Sequence, residues 1–110
     1  MREKILIDPE KIDWQPIEQL PSGAWIKMLS HDEETGAFSA LFKFDKGFEE
    51  PRHSHPSDHD IFILEGSLVD TDGNETKKGM FFYAPAGDEH GPFTSPDGCI
   101  FYGYFNGPPF

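Results

Sequence analysis

Three of the chain's five histidines fall within seven residues, at positions 53, 55 and 59 of PRHSHPSDHDIFILEG, residues 51–66. A neutral imidazole is a ligand for Zn, Cu, Fe, Ni and Mn, so this grouping points to metal chemistry. Residues i and i+2 of an extended segment project to one side, which aims His53 and His55 at a common point. Pro56 interrupts the extension and Ser57-Asp58 form a bend. His59 then resumes with the parity of Ile61 and Ile63, predicted to face the interior. A fourth candidate, His90, follows a Pro-x-Gly turn in PAGDEHGPF, as expected of a hairpin folding back toward the first three. Four imidazoles on an octahedral ion leave two positions open, whereas on a tetrahedral ion they close it.

The elements that position these side chains read as short strands. Eleven Gly and ten Pro punctuate the chain. Between them lie β-branched and aromatic runs at 24–30, 37–45, 59–65, 80–84 and 99–105. In 37–45, Phe38, Ala40, Phe42 and Phe44 share one face, and Ser39, Lys43 and Asp45 the other. Glu34-Thr35-Gly36, Asp45-Lys46-Gly47, Asp72-Gly73 and Pro96-Asp97-Gly98 mark turns. Only IDPEKIDWQPIEQL has room for a helical turn or two, limited by Pro16. Many short strands with regular turns predict an all-β sandwich, jelly roll or barrel. The reading divides the chain into an arm at 1–21, one β domain at 22–107 and a tail at 108–110. Prolines keep that tail from extending a central strand.

The glycine and proline frame carries a family resemblance. Gly47-x5-His53-x-His55-x3-His59-x6-Gly66 is similar to the first cupin motif, with His59 where Glu is usual. Gly79-x5-Pro85-x-Gly87-x2-His90-x3-Thr94 resembles the second, with Thr94 where Asn is usual. Over about residues 14–106 the chain also resembles the cupin domains of ChrR-type zinc anti-sigma factors and of acetylacetone-cleaving dioxygenases. RHSHPSDHDIFILEG is further similar to small four-histidine manganese cupins. The resemblance implies a cupin jelly roll, a double-stranded β-helix barrel. It also implies a divalent transition metal, Fe, Mn or Zn with Ni and Cu as alternatives, at His53, His55, His59 and His90. Pairing as a homodimer through edge strands and arms is implied as well.

Replacing the motif's glutamate by His59 leaves a divalent ion its full charge and favours an anionic partner on it. It also removes a carboxylate, so any base must come from elsewhere. Glu89, Asp58 and Asp60 are nearest in sequence. Strand parity turns Asp60 away, and Asp58 and Glu89 read as solvated loop charges. No catalytic side chain is assigned. Phe42, Phe44, Phe62, Phe82, Phe101 and Tyr102 are the wall candidates, half of them facing outward, with Tyr83 and Tyr104 of the same kind. His31 reads as an exposed loop residue and Cys99 as a buried one.

A net charge of −11 disfavours nucleic acid and anionic membranes as partners. The single cysteine and the lack of a long apolar run predict a cytoplasmic location, without a signal peptide or membrane span. Two functions follow from the resemblance. One is an Fe- or Mn-dependent oxygenase acting on a small chelating molecule such as a diketone, enediol or phenol. The other is a Zn-dependent sensor or binding module of ChrR-like type, for which residues 1–21 are too short to supply an anti-sigma domain. A sugar isomerase is the weaker third reading.

Overall fold

The computed structural model describes residues 2–110. A 3-10 turn, Pro9–Lys11, is capped by Asp8, whose carboxylate accepts the Glu10 amide. Among the described residues nine strands follow: β1 (Gln15–Pro16), β2 (Ala24–His31), β3 (Phe38–Phe44), β4 (Phe48–Glu50), β5 (His59–Val69), β6 (Glu75–Lys77), β7 (Phe81–Ala84), β8 (Phe93–Ser95) and β9 (Cys99–Phe105). All pairings are antiparallel, in the order β1-β2-β3-β9-β5-β8-β4, with β6 and β7 also on β5. This is the all-β, curled-sheet arrangement expected of a jelly roll. Among the described residues no helix is long and apolar enough to cross a membrane.

The five predicted strands are present, with β5 four residues longer than read. Its first half pairs with β7 and β9, and its second half with β6 and β8. The change of sheet occurs at Gly66, which has φ +73°. A Cβ there would sit 2.0 Å from the Gly98 carbonyl oxygen, so only glycine fits. The strands missed in sequence are β1, β4, β6 and β8. Each has two or three residues, too few to display a period.

Alternation builds the core. Phe38, Ala40, Phe42 and Phe44 of β3, Ile61 and Ile63 of β5, and Cys99, Phe101 and Phe105 of β9 are buried. Phe38 stacks on Phe105 and Phe42 on Phe101, at 4.9 and 5.0 Å between ring centres. Burying each such ring contributes roughly 1.5–3 kcal/mol. Phe44 against Phe48 at 4.6 Å joins β3 to β4 and closes the barrel across its two sheets. Gly103 leaves space for these rings, since a Cβ would lie 2.8 Å from Phe42.

Half of the wall candidates are expected to face outward, and strand parity decides which do. Phe62 and Tyr102 face outward with Tyr83 and Tyr104, because their parity is opposite to that of His59 and Phe101. Ser39, expected on the outer face, is buried and hydrogen bonds Ser30 across the β2–β3 pair. His31 is exposed, as read, but ends β2. The arm does more than lead in. It adds β1 to the sheet edge, and Ile17 and Leu20 pack against the core.

Candidate metal centre

His53 and His55 lie on no regular strand. His53 forms an isolated bridge with His90, each amide donating to the other's carbonyl at 2.9 Å. One turn further, the Gly87 amide donates to the His55 carbonyl at 2.8 Å. The segment 53–55 is thereby pinned against 87–90, and the same-side projection expected of a strand is kept without one. The Pro-x-Gly turn works as read: the Asp88 amide donates to the Pro85 carbonyl, with Gly87 at φ +81°. His59 enters from β5, where it is buried and stacked on Phe105 at 4.7 Å and 11°.

The four rings line a cavity of about 350 Å³. Donor atoms of His53, His55 and His90 all lie within 4.8 Å of one another. His59 stands beside them, its ring centre 4.7 Å from that of His55 and 5.5 Å from that of His90. It is not a member of the mutually close set.

Three of the four rings have a backbone carbonyl at Nδ1. The partners are Pro51 at 2.8 Å for His53, Pro109 at 2.7 Å for His55 and Ser57 at 3.4 Å for His59. A carbonyl only accepts, so Nδ1 carries the hydrogen and Nε2 keeps its lone pair. This is the tautomer and the orientation that a metal-binding imidazole needs. In His90, Nδ1 is buried with no hydrogen-bond partner among the described residues. Asp88 approaches it to 3.7 Å, too far for such a bond. A buried nitrogen without a partner is costly, and a cation would satisfy it. The residues therefore fit a divalent metal.

Electrostatics agree. Burial holds His55 down to about 4, and the imidazoles around it lower it further against the opposing Pro109 carbonyl. Burial also lowers His59 and His90. These rings are neutral at pH 7, ready to donate.

The cavity walls are largely apolar, with Ile17, Leu20, Phe82, Phe93 and Phe110 among the lining residues. Of the wall candidates, Phe42, Phe44, Phe82 and Phe101 line this space, and Phe62 and Tyr102 do not. Asp58 is half-buried and accepts from the Ala86 amide and the Asn106 side chain. Glu89 pairs with Arg52 at 2.9 Å on the surface. Asp60 lies opposite Tyr83 and Tyr104 on the outward-facing register of β5. Thr94 sits in β8 paired with Glu49 and Val69. Cys99 is a buried free thiol, pushed up to about 12 first by burial and then by the Glu50 charge.

Sequence reasoning missed Glu50. Its side chain lines the cavity, and Oε2 lies 3.6 Å from His53 Nε2. Burial pushes its carboxyl up to about 8. Phe48 is buried, and Glu50 two residues on shares its side, but a three-residue strand shows no period from which to read this. The C-terminal tail was missed as well. Pro109 holds His55, and the Ser57 hydroxyl donates to the carbonyls of Gly107 and Pro108.

A family model for the ChrR cupin-like domain matches residues 2–108. The chain belongs to the ChrR cupin-like family. No curated protein matches it. A candidate acetylacetone dioxygenase from Methylibium petroleiphilum superposes with a TM-score of 0.84 at 21% identity, over 97% of this chain and 79% of that one. The acetylacetone dioxygenase of Acinetobacter johnsonii gives 0.76 at 20%, over 96% and 74%. ChrR of Rhodobacter sphaeroides, solved in complex with SigE, gives 0.69 at 23%, over 87% of this chain and 50% of ChrR. At these identities the likeness shows the cupin fold.

Proposed function

We propose that this ChrR cupin-like chain is a metal-dependent oxygenase. Fe or Mn would be held by His53, His55, His90 and, as the fourth ligand, His59. The substrate class is a small chelating molecule: a diketone, enediol or phenol. One observation carries the reading: three imidazoles, two of them with Nδ1 held by a backbone carbonyl, converge in an apolar cavity of about 350 Å³. The dioxygenase relatives support it. When bound, the ion supplies a Lewis acid for an anionic oxygen ligand. The chain's own residues do the rest. Phe82, Phe93, Ile17 and Leu20 exclude water, and the Pro51 and Pro109 carbonyls hold two donors in place. A homodimer and a cytoplasmic location belong to the same reading. Phe62, Phe81, Tyr83, Tyr102 and Tyr104 give one outer face of the sheet an aromatic surface suited to self-association.

The family match favours a second reading, a Zn-dependent sensor or binding module. Oxygen uptake separates the two. Protein reconstituted with Fe(II) or Mn(II) is expected to consume oxygen on a panel of 1,3-diketones, enediols and phenols. Zn-loaded protein that binds panel members with none consumed under any metal would support the module. Light scattering at micromolar concentration is expected to give twice the chain mass, and a monomer would remove the dimer.

A further inference from the structure

The reading above gives the metal only neutral ligands. Glu50 changes that. It ends β4, which pairs with β8 through Glu50 and Phe93, and it enters the cavity from the sheet opposite His59. Its side chain is 12% exposed. Among the described residues no hydrogen bond reaches its carboxylate and no Arg or Lys pairs with it. Arg52, two residues on, turns outward to Glu89. Among the described residues the one ion-pair partner within reach of it is His53 Nε2, at 3.6 Å. That nitrogen is the one left free to donate, because Nδ1 of the same ring meets the Pro51 carbonyl.

Two donors on one ion, each at about 2.0–2.2 Å, stand roughly 3–3.5 Å apart. The separation of 3.6 Å is within a small side-chain adjustment of that range. A carboxylate set in an apolar wall without hydrogen bonds is costly unless a cation meets it. The histidine cluster is where that cation would be.

We propose that Glu50 is the carboxylate ligand of the metal centre, delivering from β4 the anionic donor that the first cupin motif carries at position 59. His59 then adds an imidazole without leaving the site free of anionic ligands. A divalent ion here would carry one unit less charge than four histidines alone leave it. The mutually close donor set contains His53, His55 and His90, so Glu50 is expected to close on the ion from the His53 side.

The proposal rests on the metal-centre reading, and the experiment separates the two. Zn(II) and Co(II) affinities are measured by chelator competition for the wild type, Glu50→Gln and His55→Ala, and visible spectra of the Co(II) forms are recorded. Glu50→Gln keeps the shape and removes the anion. It is expected to weaken both metals by at least about tenfold and to change the Co(II) bands in position and intensity. Unchanged affinity and bands would overturn the proposal. So would weaker affinity with unchanged bands, since Glu50 would then act from outside the coordination sphere. If His55→Ala also binds normally, the metal-centre reading itself fails. Should Glu50→Gln not fold, a crystal structure of the wild type with Co(II) decides. Glu50 oxygen at about 2.2 Å from the ion upholds the assignment, and beyond about 3 Å overturns it.

Discussion

His55 and His59 lie four residues apart and are held in different ways. His59 belongs to β5, whose eleven residues pair with four other strands, and its ring lies flat on Phe105. His55 lies in a segment without regular structure, held by the Gly87 amide on its carbonyl and by the Pro109 carbonyl on its ring. The sheet region is over-determined by packing, so damage there should cost the fold. The loop region is fixed by a few hydrogen bonds, so damage there should cost the metal and spare the fold.

The severest break of the sheet is Gly66→Ala. Its Cβ has no space beside the Gly98 carbonyl, and the positive φ adds strain. Denaturant unfolding is expected to show a loss of at least about 3 kcal/mol. Phe105→Ala comes next, at about 3–5 kcal/mol. It should also weaken metal binding, because Phe105 packs on His59 and stands edge-on to His55 at 5.1 Å.

The loop side should respond in the opposite sense. His55→Ala is expected to change the stability of the metal-free protein by less than about 1 kcal/mol. Its metal affinity should fall by more than the roughly 10–100-fold that a hydrogen-bond partner of a ligand is worth. Removing residues 108–110 takes away the Pro109 carbonyl and should fall within that 10–100-fold range, read by chelator competition. A truncated protein that binds as tightly as the full chain would show that the tail does not orient His55.

The smallest effect is on pH dependence without metal. His55 is lowered from 6.5 to about 4, so its contribution is complete above pH 6.5 and is lost as pH falls through 4. His59 and His90 shift in the same direction. Glu50 is raised from 4.5 to about 8, so its contribution is complete below pH 4.5 and is lost as pH rises through 8. Below pH 6.5 the losses from the histidines oppose the gain from Glu50. Unfolding followed from pH 6.5 to 9, where Glu50 alone of these groups changes, should therefore show stability falling as pH rises through 8.

What was legible in the sequence follows the same division. In β3, β5 and β9 the alternation runs for seven residues or more, so the inward set around Ile61, Phe42 and Phe101 could be read directly. The same parity should have turned Phe62 away from His59, and it did. Where the chain leaves the sheet, spacing still brought His53, His55 and His90 together, because the Pro-x-Gly turn and the i, i+2 relation are local. Glu50 escaped notice because its strand is three residues long, and a base was sought among charges beside the histidines. Pro109 escaped notice because its contact spans 54 residues and depends on how the barrel closes.

The central claim is that the histidine cluster holds a metal. The direct measurement is elemental analysis of wild-type protein and His55→Ala, purified in parallel without added metal or chelator and normalised per chain. About one equivalent of a transition metal in the wild type, lost in His55→Ala, is the predicted result, and its identity as Fe, Mn or Zn divides the oxygenase from the sensor. A wild type that carries no metal and acquires none on soaking would contradict the account.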